Sequence, residues 1–173
     1  FKTTADPFVG KLSYLRVMSG TLQSDSRIEN HSKQTEERIG TLQAMRGKEQ
    51  IPVKCLHAGD LGTIAKLGDT ATGDSLGDKS HPVQFKTTLY PGSLYALAVS
   101  PRTQADSTKM GPTLSKLCEE DQTLNWRNEP STKQTIIEGM GDQHIEIVLK
   151  RAEQKFGTSL ETSAPKVPYR ESI

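Results

Sequence analysis

Two domains in tandem are what this 173-residue sequence predicts, an all-β barrel followed by an α+β unit of β-α-β-β-α-β order. Three observations carry that expectation. Residues 8–78 break into short strand-like runs bounded by Gly, Asp or Asn, with no helical stretch. Residues 141–156 instead place apolar side chains every three or four positions, the period of a helix. Between the two patterns, His81, Pro82 and then Tyr90, Pro91, Gly92 bracket a stretch with no period, and each proline pushes the residue before it towards an extended conformation. With 33% of the residues hydrophobic and 25% charged, the chain has enough apolar material for one large core or two small ones.

The first half reads as strands at residues 12–17, 26–30, 38–42, 53–56 and 63–65. So many short strands would expose many edges unless the sheet closes on itself, which favours a closed or nearly closed barrel. The barrel is assigned to residues 1–86 and the connection to 87–92. In the second half, residues 93–99 read as a buried strand, 109–120 as a helix, and 124–127 and 135–138 as strands. Pro112 lacks the backbone donor a helix interior needs, so the regular helix is expected from Pro112 onward, with 106–111 as an irregular lead-in turn. The second helix carries Ile145, Val148, Leu149, Ala152 and Phe156 on one stripe, and Gly157 sits where a left-handed cap would end it. That order defines a ferredoxin-like domain, assigned to 93–165, in which two helices cover one face of a four-stranded antiparallel sheet.

Composition narrows the function. With 22 Lys and Arg against 21 Asp and Glu, the net charge of +1 gives no whole-chain case for nucleic acid or an anionic membrane. The balance is uneven, however: residues 1–88 carry 12 basic and 10 acidic groups, whereas residues 89–165 carry 8 and 10, so the barrel is the better candidate for phosphate contacts. Cys55 and Cys118 have no metal-ligand spacing and suit two reduced thiols. No run approaches the roughly 18 to 20 apolar residues of a membrane helix. The start at Phe1 has no initiator Met or leader, so the chain is expected to begin within a longer protein.

Catalytic signatures end in near misses. Gly40, Gly47 and Lys48 resemble the end of a phosphate loop, but six residues separate the glycines instead of four, and Glu49 stands where Ser or Thr must reach magnesium. His144 and Glu146 match the H-x-E of zinc deaminases, but no P-C-x-x-C follows. The histidines at 31, 57, 81 and 144 share no ligand spacing, and Gly59, Asp60 and Gly73, Asp74 read as turns. No catalytic residue and no metal ligand is assigned, and no cofactor is expected in this chain.

Several ordered motifs together are far more specific. Asp6, Pro7, Phe8, Val9, Gly10, Lys11, Leu12, then 16–22 (RVMSGTL), 58–62 (AGDLG) and 70–76 (TATGDSL), resemble the second domain of elongation factor G. Residues 100–106 (SPRTQAD), 117–121 (LCEED) and 134–144, with Gln134, Thr135, Ile136, Ile137, Gly139, Met140, Gly141 and His144, resemble its third domain. Residues 166–173 look like the first strand of a fourth. The resemblance implies a barrel of the translational-GTPase type that leans on small-subunit ribosomal RNA. It also implies a third domain that couples an upstream GTPase domain to the decoding region and lines the fusidic acid site. GTP and magnesium would belong to the parent, a monomeric cytoplasmic GTPase, bacterial or from an organelle matrix, with no membrane partner.

On that basis Lys33, Arg38, Arg46 and Lys48 are the candidate rRNA-facing residues, with solvated strand ends as the plainer alternative because sequence does not show clustering. Thr135, Met140, Gly141 and His144 are the candidates facing the GTPase domain and the drug site. His144 is expected to point away from the apolar stripe, so that its replacement by Ala costs no more than a surface change, about 0.5 kcal/mol. Glu138, Gln143 and Gln122 depart from the family pattern, which leaves a diverged paralogue, or a ribosomal-protection or recycling factor, as alternatives. A stand-alone RNA-binding module fits less well, because the second half offers only Tyr95, Trp126 and Phe156 for stacking.

Overall fold

The structure is a computed structural model that describes residues 1–47, 49–167 and 169. It contains two compact units, 1–89 and 90–173. Among the described residues the first holds ten strands: β1 (Lys2–Asp6), β2 (Gly10–Arg16), β3 (Thr21–Gln23), β4 (Arg27–Asn30), β5 (Thr35–Arg38), β6 (Leu42–Arg46), β7 (Glu49–Val53), β8 (Cys55–His57), β9 (Leu61–Ala65) and β10 (Leu76–Gly77). They form antiparallel ladders ordered β1-β2-β9-β6-β7, β10-β4-β5 and β3-β8. All three ladders send side chains into one core. Leu42 and Ile64 come from the five-stranded ladder, Ile28 and Leu76 from the three-stranded one, and Leu22 and Leu56 from the short pair. Burying one shared core from three ladders is what makes this a barrel.

Residues 38–42 form no single strand, contrary to the sequence expectation. They are the crossing from β5 to β6, and both Ile39 and Leu42 reach the core with no exposed surface. Two consecutive strand ends with buried apolar residues imitate one strand in a sequence. The crossing is held by Ile39 N–H to the Ser26 carbonyl (2.9 Å) and by Leu42 N–H to Ser24 Oγ (3.1 Å).

One carboxylate pins the barrel loop that follows β9. Glu37 accepts hydrogen bonds from the N–H groups of Gly68 (3.2 Å), Asp69 (2.8 Å) and Thr70 (2.8 Å), and from the Thr70 hydroxyl (3.0 Å). Burial alone would raise its pKa; the hydroxyl and the three backbone donors outweigh burial and hold the carboxyl below its ordinary value. Beside it, Asn30 is fully buried and donates to Asp74 Oδ2 (2.9 Å) and Thr70 Oγ1 (3.4 Å), while its Oδ1 accepts from the N–H groups of Ser32 and Lys33.

The second unit has the order β11 (Tyr95–Pro101), α1 (Gln104–Glu120), β12 (Asn125–Glu129), β13 (Gln134–Gly139), α2 (Asp142–Phe156) and β14 (Leu160–Ser163). Its sheet runs β12-β13-β11-β14, every neighbour antiparallel. This is the ferredoxin-like arrangement. Register puts Leu97, Ile137 and Trp126 side by side on one face, where they pack with Leu114, Leu117, Ile145, Val148 and Ala152 of the helices. The left-handed cap at Gly157 has φ 59° and ψ 38°, as the sequence leads one to expect.

Helix α1 differs from its expectation. It begins at Gln104 and runs through Pro112 without interruption, capped by Thr103, whose hydroxyl accepts from Asp106 N–H. Asp106 in turn accepts from the Thr103 hydroxyl (2.6 Å) and from Ser159 N–H (3.1 Å), so this buried carboxylate ties the helix start to the approach to β14. The cap and this tie keep the first turns helical ahead of the proline. Pro112 faces solvent, and the carbonyl left without its donor belongs to exposed Thr108, where water can serve it.

Glu37 gives a signed prediction. A carboxyl whose folded pKa is depressed contributes stability that is present above its ordinary value of 4.5 and is lost as pH falls through the lower folded value. Glu37→Gln is expected to destabilise the barrel by about 2 kcal/mol near neutral pH, with a smaller difference from wild type in acid. Amide exchange at Gly68, Asp69 and Thr70, followed across that pH range, reads both effects. An unchanged exchange rate at neutral pH contradicts the assignment.

Candidate functional site

The barrel candidates sit on two hairpins in different ladders. Lys33 lies in the turn between β4 and β5, where Gln34 adopts a left-handed φ of 57°. Its ammonium reaches Asp74 at 3.5 Å and contacts the Asp69 carbonyl, so it braces the loop after β9 while remaining exposed. Arg38 ends β5, exposed, across from Arg27, which pairs with Glu36 at 2.6 Å. Arg46 ends β6 and pairs with Glu49 at 2.7 Å. Lys48 lies outside the described residues. Lys33 and Arg46 thus face carboxylates of their own hairpins or loops, and Arg38 alone of the three has no carboxylate partner among the described residues. The structure therefore supplies three exposed cations but gathers them on no single element.

The second candidate surface is built more tightly, at the turn from β13 into α2. Gly139 is the last residue of β13 and lies on the face that the helices cover, beneath the first turn of α2. A Cβ there would stand 2.9 Å from His144 Nδ1 and 3.3 Å from Ile145 Cγ1, so space demands a glycine. Gly141 is different. Its extended backbone and the open space around its Cα require no glycine. Met140, between them, is exposed, and its N–H donates to His144 Nδ1 at 3.1 Å.

His144 is held at both ring nitrogens. Because Nδ1 accepts from Met140 N–H, the neutral ring carries its proton on Nε2, which donates to Asp121 Oδ2 at 3.0 Å. Asp121 ends α1, and its other oxygen accepts from the N–H (2.9 Å) and hydroxyl (2.6 Å) of Thr123, just before β12. Burial works to raise the Asp121 pKa, and the Thr123 donors together with His144 more than offset it, so the carboxyl titrates below its ordinary range. One histidine thereby joins the end of α1, the approach to β12 and the turn into α2.

The structure brings Met140, Gly141 and His144 together. Thr135 sits at the far end of β13, half-buried, its hydroxyl donating to Asn128 Oδ1 across the ladder at 2.9 Å. Asp121 was missed as a site residue, although an acidic residue two before Thr123 at the end of a helix pattern is a readable Asx-turn signal. Glu138, a departure from the family pattern, takes up a diagonal ion pair with Arg127 at 3.3 Å, and Gln143 is exposed. The stretch from Gly40 to Gly47 is no phosphate loop: strand β6 fills it and β7, not a helix, follows. No group of three or more His, Cys, Asp or Glu able to hold a metal occurs among the described residues. No described helix is long and apolar enough to cross a membrane.

Comparison with known proteins assigns the barrel and the α+β unit that follows it to one family. The family description "Elongation factor G domain 2" matches residues 1–79, and "Elongation Factor G, domain III" matches residues 90–164. The chain is 41% identical over all 173 residues to an elongation factor G from Salinibacter ruber (strain DSM 13855 / M31), and it spans 24% of that relative's length. A crystal structure of a protein from Thermus thermophilus is similar over 98% of the chain and 26% of its own, with a TM-score of 0.83 and 29% identity. The chain belongs to the elongation factor G family and carries the second and third domains of that architecture.

His144 gives the prediction here. Two hydrogen bonds, one to a carboxylate, place His144→Ala at about 1–2 kcal/mol, above the surface-change figure that sequence alone suggested. Asp121→Asn should weaken the same unit, and the two substitutions should be non-additive, since they remove one shared interaction. Urea unfolding followed by Trp126, the sole tryptophan and packed against that core, measures it. Additive losses below about 0.5 kcal/mol each contradict the relay.

Proposed function

We propose that this chain is the ribosome-binding, non-catalytic part of a translation elongation factor that drives GTP-dependent movement of tRNA and mRNA. The observation that carries this reading is the end-to-end likeness to an elongation factor G, with both domains matched in order. In the proposal the barrel contacts small-subunit ribosomal RNA through Arg38, Arg46, Lys33 and Lys48. The surface around Met140, Gly141 and His144, with Thr135 at its far edge, faces the GTPase domain of the same protein. GTP and magnesium are bound by that domain, and the parent works as a cytoplasmic monomer.

The turn into α2 suits a coupling surface for a physical reason. Met140 is exposed, yet the backbone beneath it is held by His144 and Asp121, so a partner would meet an apolar side chain on a fixed support. A second reading, the same domains in a sibling factor or a paralogue, draws on Glu138 and Gln143. The Arg127 ion pair accounts for Glu138 as a surface adjustment within the sheet, which favours the first reading.

The test uses the full-length parent with Arg38→Glu and Arg46→Glu together. GTP turnover without ribosomes should be unchanged, and the KM for ribosomes in stimulated turnover should rise about tenfold, through loss of phosphate contacts. An unchanged KM overturns the rRNA assignment. Stimulated turnover without movement of mRNA in the wild-type parent would support the sibling reading instead.

A further inference from the structure

Strand β8 reads Cys55, Leu56, His57, and the two-residue period of a strand sends the leucine to one face and the other two side chains to the opposite face. Leu56 packs in the barrel core, only 4% exposed, so Cys55 and His57 stand together on the outer face, the cysteine half-buried and the histidine exposed. Pairing with β3 places Thr21 across from His57 and Gln23 across from Cys55. In this frame Cys55 Sγ lies 3.5 Å from His57 Nε2, and the other ring nitrogen, Nδ1, lies 3.2 Å from Thr21 Oγ1. The backbone is fixed as well, because His57 N–H donates to Asp60 Oδ2 at 2.7 Å.

A thiol within reach of an imidazole whose far nitrogen is oriented by a third group is the arrangement that activates a cysteine. We propose that Cys55 is a reactive thiol and a site of mixed-disulfide formation with small-molecule disulfides, with His57 as its base and Thr21 orienting the ring. This assignment is independent of the ribosomal role. With Nδ1–H donating to the Thr21 hydroxyl, Nε2 presents its lone pair to the Cys55 S–H. The thiol proton passes to Nε2 as Sγ attacks one sulfur of the incoming disulfide. The new S–S bond forms as the old one breaks, and the departing thiolate takes the proton from the imidazolium and leaves as a free thiol. Cys55 is oxidised, the departing sulfur is reduced, and the incoming disulfide is the oxidant.

Cys118 is the internal control. It is the chain's other cysteine, it packs against the core of the second unit, and burial followed by the negative charge of Asp121 pushes its thiol up to about 11. The two thiols therefore separate by environment within one molecule.

The experiment incubates the folded chain with glutathione disulfide near neutral pH and follows each cysteine by peptide mass spectrometry. Cys55 is expected to react at least about tenfold faster than Cys118, and His57→Gln is expected to slow Cys55 by about tenfold. In urea the two cysteines should react alike and the His57→Gln effect should vanish, because the dyad exists only in the fold. Equal rates in the folded chain, or a Cys55 rate untouched by His57→Gln, overturn the proposal. If His57→Gln does not fold, Thr21→Val carries the same test: a slowed Cys55 supports the dyad and an unchanged one contradicts it.

Discussion

The imidazole of His144, bonded at both nitrogens, is the interaction on which the second unit's functional surface depends. A histidine that accepts a backbone N–H on one side and donates to a carboxylate on the other can adopt only one neutral tautomer and one ring orientation. That constraint passes in two directions. Towards the sheet it requires Gly139, since any Cβ there would meet the ring. Towards the first helix it requires Asp121, itself held by Thr123. The exposed Met140 is placed by this chain of contacts, because its N–H is held by His144 Nδ1 and the N-cap residue, Gly141, has no side chain to hold the turn.

The barrel uses the same device with different residues. Glu37 fills a concave set of backbone donors, and Asn30 with Asp74 seals its neighbour, so an irregular loop keeps its polar groups satisfied without regular secondary structure. Lys33 closes the cluster from the hairpin above. A side effect is that its charge is partly neutralised where it stands, leaving Arg38 as the more available cation. Phosphate binding by this unit would therefore depend on where the exposed cations fall relative to the RNA, and less on a single dense patch.

Much of this was legible in the sequence, and the failures share a cause. Short strand-like runs in one half and an apolar stripe of period 3.6 in the other separated the two fold classes, and Gly157 marked the end of α2, because local conformation decides those features. The β5–β6 crossing was misread because buried Ile39 and Leu42 look like strand residues when seen along the chain alone. The start of α1 was misplaced because the tie from Asp106 to Ser159 is tertiary, joining residues far apart in sequence. His144 was found through its family motif, but its partner Asp121 is 23 positions away, and no local pattern joins them. The same holds for the Lys33 brace on Asp74. Sequence can name a charged residue without naming what it already touches.

Ring nitrogen chemical shifts of His144, recorded by NMR on the 15N-labelled protein near neutral pH, test the central constraint most directly. A single neutral tautomer is expected, with the proton on Nε2 and Nδ1 as an acceptor, together with a Met140 amide protected from exchange. A ring protonated on Nδ1, or one averaging between tautomers with a rapidly exchanging Met140 amide, contradicts it.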